Sequence, residues 1–483
     1  MNPALLVLAG CFATALALGL LAQRGKGGGL ESWAVGGRGF GTLFVFLLTA
    51  GEVYTTFTFL GGSGWAYGRG APAFYILCYG AIAYTLSYFV LPPIWRYASE
   101  RRLHSQADFF AAKYDSPALG LVVALVSVAA LVPYLVLQLK GLGIIVSEMS
   151  YGAVAPHVAV WLGIAALVTY VTVSGVHGSA WTSVLKDVLI LVVVVGLGIV
   201  LPQRYYGGIG PMFAAIEQAK PGFLTLPAHG LSVSWFVSSV LLSGVGFYMW
   251  PHAFSAAYTA KSEDVLRRNA AMMPLYQLVL LFVFFTGFAA VLQVPGLAGA
   301  DADLSLLRLA RQSFSPWVVG VIGAAGLLTA LVPGSMILLA AATILTKNVY
   351  RLAAPAADDR HLALVARLGV PVFALVAAFA TLRGGEAIVP LLLMGYSLVT
   401  QLAPAAFCAL GERPLATRAG ALAGILAGEA VVLWLTFGGV TLAKLFPAWP
   451  AAVTDLNPGV VALAANVAVL AAVSAATAPR RTA

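Results

Sequence analysis

The sequence predicts an all-α integral membrane protein of about 13 transmembrane helices. Three observations carry that reading. Hydrophobic residues make up 61% of the chain and charged residues 9%, whereas soluble globular chains carry about 25% charged residues. Too few polar groups remain to cover a water-facing surface, so lipid must serve as solvent. The apolar residues also fall in runs of about 20, the length that crosses a bilayer as a helix. A soluble enzyme, a nucleic-acid reader and a disulfide scaffold are excluded on these grounds. The net charge of +9 sits in short loops between apolar runs and forms no nucleic-acid footprint. Cys11, Cys78 and Cys408 lie inside apolar segments without CxxC spacing and read as buried small hydrophobes.

The first run, 3–22, opens Met1-Asn2-Pro3 without basic residues, and Arg24 and Lys26 follow it. It therefore reads as a retained helix rather than a signal peptide. The other runs are 41–66, 73–94, 118–147, 157–175, 180–201, 233–254, 270–293, 316–347, 362–382, 386–411, 416–438 and 458–477. Lys and Arg counted over alternate loops number eighteen on the side of Arg24, Arg101 and Lys347, against seven on the side of Arg69, Arg204 and Arg311. That bias predicts a multi-pass inner-membrane protein with its N-terminus outside and its C-terminus cytoplasmic. The ending Ala478-Pro479-Arg480-Arg481 leaves no room for an appended signalling domain. The chain reads as one membrane-embedded unit.

Two runs are interrupted. The second contains Thr49-Ala50-Gly51-Glu52, then Tyr54-Thr55-Thr56, Thr58 and Gly61-Gly62-Ser63-Gly64. The seventh contains Ser238-Ser239 and then Ser243-Gly244-Val245-Gly246-Phe247-Tyr248-Met249-Trp250-Pro251-His252. Close helix packing would explain the glycines but not the hydroxyls clustered at one depth. Corresponding breaks in two halves of a membrane protein point to an inverted repeat with a midplane site. The expected organisation is a peripheral helix and loop in 1–40, five-helix repeats in 41–201 and 233–411, and peripheral helices in 412–483.

At these breaks the sequence resembles the sodium:solute symporter family, which has the LeuT-like five-plus-five inverted-repeat fold. The likeness rests on the first break with Phe59-Leu60-Gly61-Gly62-Ser63-Gly64. It continues in the loop Leu103-His104-Ser105-Gln106-Ala107-Asp108-Phe109-Phe110, in Ser174-Gly175-Val176-His177-Gly178-Ser179-Ala180-Trp181-Thr182, in Trp250-Pro251-His252, and in Thr346-Lys347-Asn348-Val349-Tyr350-Arg351. It implies discontinuous first and sixth core helices. A narrower resemblance is to the bacterial monocarboxylate-uptake permease branch. It rests on Gly51 to Thr58, Val184-Leu185-Lys186-Asp187, Tyr248 to His252 and Ala330-Leu331-Val332-Pro333. That branch implies lactate, pyruvate or propionate as cargo. The resemblance places the carbonyls of a sodium site at Gly51 and Tyr54, but its two hydroxyl positions fall on Val332 and Pro333. Thr329 and Ser335 are the nearest hydroxyls. The signature's Asp falls on Ser183 and its later Gln on Lys186.

Charges inside the apolar runs are costly and tend to mark ion pathways. Lys186 lies about six residues into its run, roughly 9 Å by helical rise, so it either snorkels to the interface or faces the core in place of sodium. A core-facing lysine can release its proton, which would make the carrier proton-coupled. Asp187 beside it and Glu52 at the first break are the other coupling candidates, although Asp187 points about 100° away and could face another helix. Lys140 reads as snorkelling or as an outer gate, Glu429 as structural or at an oligomer contact, and His177 as a loop residue. For a carboxylate cargo, half-helix N-termini supply N–H groups and a positive dipole end. The expected contacts are Tyr54, Thr55, Thr56, Thr58, Tyr248, Trp250 and His252. Few Asn, Gln or Glu lie on these segments, which argues against a sugar. The sequence therefore leads to a secondary active transporter of a small monocarboxylate, coupled to H+ through Lys186. The alternative is Na+ coupling for another small solute such as an amino acid. It leads to no enzyme, no metal site, no cofactor and no obligate protein partner.

Overall fold

The computed structural model describes residues 2–24, 29–51 and 53–478. Glu52, Lys26, Arg480 and Arg481 lie outside the described residues. Among the described residues regular structure is helical, with one isolated β-bridge between Phe40 and Ala260. Ten helices among these residues are long and apolar enough to cross a membrane, or eleven if the bent pair Val233–Met249 and Pro251–Tyr258 is one span. The expected 13 are not reached by that measure, for two local reasons. Run 157–175 yields the shorter helix Pro156–Thr172. Run 41–66 is divided into Thr42–Ala50, a π-helical stretch Phe57–Gly62 and Ser63–Arg69.

Local sequence explains the ends. Asn2, Ser116 and Asn457 each accept a backbone N–H at the start of a helix, and each is followed by proline as its first residue. That combination satisfies one orphan amide and pre-sets the backbone. Helix Pro156–Tyr206 passes through Gly175 at φ 52°, a left-handed angle that only glycine adopts readily. The chain kinks there, and His177 lies beyond the kink inside helix rather than in the expected loop.

Pro316–Ile344 occupies the centre and is buried along its whole most apolar window. It packs on Pro117–Met149, Pro156–Tyr206 and Pro3–Gln23. The periphery carries exposed apolar side chains such as Val192, Leu275 and Val372, as a lipid-facing band requires. At one edge Arg418–Val432 pairs with Pro458–Thr477. Gly420, Gly424 and Gly428 let these backbones approach closely.

Candidate functional site

The first break begins where Thr42–Ala50 ends. The amides of Val53 and Tyr54 both donate to Ala50 O, at 3.0 and 3.1 Å. Thr58 Oγ1 donates toward Val53 O at 2.7 Å and accepts from Thr55 N at 3.1 Å. Thr55 Oγ1 accepts from Phe57 N at 3.1 Å. These hydroxyls replace helical hydrogen bonds that the break removes, as an interruption at membrane depth requires. Thr56 Oγ1, also buried, has no hydrogen-bond partner. Tyr54 is turned toward Tyr276, edge to face at 4.9 Å between ring centres, with its hydroxyl 3.3 Å from Tyr276 O.

The second break lies at Trp250, whose backbone is extended between Phe247–Met249 and Pro251–Tyr258. A residue before proline avoids the helical region, and proline opens a new helix without needing its missing N–H. The two pieces bend by 48°. Gln106 Nε2 donates to Met249 O at 2.7 Å, and Ser127 Oγ donates to Gln106 Oε1 at 3.0 Å. The loop motif thus props the freed carbonyl. Tyr248 packs on Phe247, while Trp250 and His252 both meet Tyr134, at 4.8 and 5.1 Å.

One helix joins the two breaks. Tyr134, Gln138 and Gly141 share a face of Pro117–Met149 by their i, i+4, i+7 spacing. Tyr134 touches the second break, and a side chain at Gly141 would collide with Thr56 of the first. Seven residues of helix span about 10 Å, so one helix bridges the two breaks. Thr56, Trp250 and His252 are brought to this helix, whereas Tyr54 and Tyr248 pack elsewhere. Gln138, fully buried and with neither amide atom hydrogen-bonded, was not singled out as a contact in the sequence. Its depth in an apolar run, two residues from Lys140, was its only signal.

Beside the first break sits an ion pair. Lys186 is 0% exposed, and its Nζ is 2.6 Å from Asp187 Oδ1. Tyr276 donates its hydroxyl to the same oxygen at 2.9 Å. Snorkelling is therefore ruled out for Lys186. Its long stem bends back to its neighbour, so Asp187 both pairs with it and meets another helix through Tyr276. The alternative sodium oxygens each donate their hydrogen to a backbone carbonyl, which leaves oxygen lone pairs to accept. Thr329 Oγ1 donates to Gly326 O at 2.7 Å and Ser335 Oγ to Val332 O at 2.6 Å. Ser335 Oγ also lies 2.7 Å from Ser179 Oγ. Val332 and Pro333 are buried there without side-chain oxygen. Among the described residues, no group of three His, Cys, Asp or Glu could hold a metal.

The profile of the sodium:solute symporter family matches residues 33–428. The chain belongs to the sodium:solute symporter family. It is 60% identical over 474 residues to a Bacillus subtilis protein described as the uncharacterized symporter YhjB, covering 98% of this chain and 97% of that one. A monocarboxylate transport permease protein of Rhizobium johnstonii is 29% identical over 67% of this chain and 65% of its own. The sodium/proline symporter of Escherichia coli is 25% identical over 86% and 85%. Among solved structures, a Na+-coupled sialic acid symporter in a substrate-bound outward-open state superposes with a TM-score of 0.79 at 19% identity, covering 99% of both chains. The fold is thus LeuT-like. The protein is a secondary transporter of small solutes, not an enzyme, and a multi-pass membrane protein, consistent with a bacterial inner membrane.

In this symporter each face is tied by charges. On the Arg38 side, Asp108 caps Gln106–Lys113 in a capping box with Ser105. It also takes Lys347 Nζ at 2.6 Å and Asn348 Nδ2 at 2.8 Å. Lys347 Nζ lies 2.6 Å from His104 Nδ1. Burial, together with Lys347 nearby, pushes the imidazole down to about 3, so at neutral pH His104 is uncharged and accepts from the ammonium. Arg38 Nη2 donates to Leu103 O.

On the opposite face the Lys140 ammonium reaches loop residues. It donates to Glu386 O at 2.6 Å and pairs with the buried Asp303 at 3.4 Å. The adjoining cleft has a volume of roughly 420 Å³ and is lined by Trp65, Arg69 and Asp303 among others. Burial raises the Asp303 carboxyl to about 6, although Lys140 and the Ile388 amide oppose this. The closed face therefore holds a proton more tightly than an open one, where the ordinary value is 3.8. The stabilisation is fully present below about pH 4 and is lost as pH rises through about 6. The difference is worth on the order of 3 kcal/mol. Thermal unfolding compared between pH 7 and pH 5 is expected to show a rise of about 1.3 kcal/mol in the wild type, the part of that difference developed by pH 5, and none in Asp303→Asn. Equal pH dependence in both would exclude the carboxyl as its source.

Proposed function

We propose that this symporter imports a small monocarboxylate by alternating access and draws its energy from protons through the Lys186–Asp187 pair. The burial of Lys186 against Asp187, one tyrosine away from the first break, is the observation that carries the reading. As an ammonium and a carboxylate the pair has no net charge. One added proton gives it +1, which balances the charge of the cargo anion, and in that state both can cross together. A relative that is a monocarboxylate transport permease protein supports the cargo class. So do the two half-helix N-termini that begin near Thr56 and at Pro251, since such ends attract anions. Thr56, Trp250 and His252 form the contact set around the cargo. Thr55 and Thr58 shape the break, and Tyr54 and Tyr248 back it. Repeats 41–201 and 233–411 move against each other, with 1–40 and 412–483 peripheral. The N-terminus lies outside, so the His104–Lys347 cluster closes the cytoplasmic face.

Sodium coupling is the second reading, favoured by the family and by the facing hydroxyls of Ser179 and Ser335. Uptake into proteoliposomes separates the two. With an alkaline interior and no sodium, we expect accumulation of about tenfold per pH unit for one proton per solute. Strict sodium dependence with no response to pH would overturn proton coupling. Saturable uptake of proline, with none of lactate, pyruvate or propionate, would overturn the cargo class.

A further inference from the structure

Resting on the monocarboxylate reading, we infer that Gln138 selects the cargo and that the cargo carries a hydrogen-bond donor on the carbon next to its carboxylate. A 2-hydroxy acid and a 2-amino acid share that chemistry. Gln138 is 0% exposed, and both Nε2 and Oε1 lack a hydrogen-bond partner. A buried carboxamide left unpaired is unfavourable, and this one is held between the two breaks. Four residues before it, Tyr134 packs on Trp250 and His252. Three residues after it, Gly141 closes on Thr56, whose hydroxyl is also without a partner. Three hydrogen-bonding groups therefore await a ligand on one stretch of helix and the loop it faces.

The carboxamide constrains what that ligand is. Nε2 donates only, and suits a carboxylate oxygen. Oε1 accepts only, and is satisfied by an O–H or N–H. A plain fatty acid leaves Oε1 unpaired, and so does a keto acid, whose second oxygen also accepts. A site built around a buried hydrogen-bonding group discriminates strongly against analogues that leave the group unpaired. Gln138 has no structural partner to lose. Its replacement by a methionine of similar shape therefore leaves no orphaned group behind, and thermal stability should hold or rise.

The test uses purified protein in proteoliposomes with lactate, pyruvate, propionate and alanine as probes, read by competition in counterflow. The first three differ only at the second carbon. In the wild type, lactate, alanine or both are expected to compete roughly 10–100-fold better than propionate and pyruvate. In Gln138→Met the ratio is expected to fall to near one, since every probe loses the Nε2 donor and none keeps the Oε1 acceptor, and the unfolding temperature is not lowered. Gln138→Leu should behave alike. A wild type that carries all these acids equally overturns the inference and leaves the monocarboxylate reading standing. So does a Gln138→Met variant that keeps the preference, or one that fails to fold. A wild type that carries none of the four overturns the monocarboxylate reading and this inference with it.

Discussion

Lys186→Gln is expected to abolish uphill accumulation while leaving substrate binding and counterflow exchange intact. Exchange at equal concentrations needs no driving force, so it reads the cargo path alone. Accumulation driven by a one-unit pH difference reads the coupling, and should fall about tenfold, to no accumulation. The variant also strands Asp187 beside Tyr276. Removing one partner of a buried pair costs about 3–5 kcal/mol, so reduced thermal stability is expected alongside. Lys186→Gln combined with Asp187→Asn removes both charges and should recover stability without recovering accumulation. Lys186→Arg provides the complementary control, because a guanidinium keeps its charge under all working conditions and leaves Asp187 to take the added proton. It should retain the accumulation that Lys186→Gln loses. Normal accumulation in Lys186→Gln would remove the pair from the coupling mechanism.

How much of this was legible in the sequence depended on the range of the interactions. Both breaks were legible because they are written locally, in Gly51 to Thr58 and in Gly246 to Pro251, where glycine, hydroxyls and proline interrupt an apolar run. Whether Lys186 snorkels was not legible. A four-carbon stem about 9 Å from the interface reaches either way, and only packing decides. Long-range partners were invisible for the same reason. Asp303 lies 163 residues from Lys140, in a loop whose path no periodicity specifies. The segments Leu103–Phe110 and Thr346–Arg351 were noticed as separate motifs, yet they are two halves of one cluster through Asp108, Lys347 and Asn348. Gln138 was not legible as a contact because an uncharged amide in an apolar run looks like packing until its neighbours are known. The length measure gives ten or eleven of the 13 expected spans, because run 157–175 yields a helix too short to count and run 41–66 is broken into pieces.

Asp108→Ala is expected to be the most destabilising single change on the His104–Lys347 face. It removes the carboxylate of a nearly buried ion pair, at about 3–5 kcal/mol, and one half of a helix cap, at about 1 kcal/mol. The loss propagates, because Gln106 sits in the first turn of the capped helix and holds Met249 O at the second break. Asp108→Asn keeps hydrogen-bonding capacity and should fall between wild type and Ala, whereas Asp264→Ala, on an exposed carboxylate, should be near neutral. Thermal midpoints of the solubilised protein give the order. Burial alone would raise the Asp108 carboxyl, but Lys347 beside it and its hydrogen bonds hold it below the ordinary 3.8. Its contribution is therefore present above that value and lost as pH falls below it. His104, lowered from 6.5 to about 3, acts in the same sense, since the open or unfolded protein takes up the proton first as pH falls from 6.5. Acid thus loosens this face while it favours closure at Asp303. An Asp108→Ala variant no less stable than Asp264→Ala would show that the cluster does not hold this face closed.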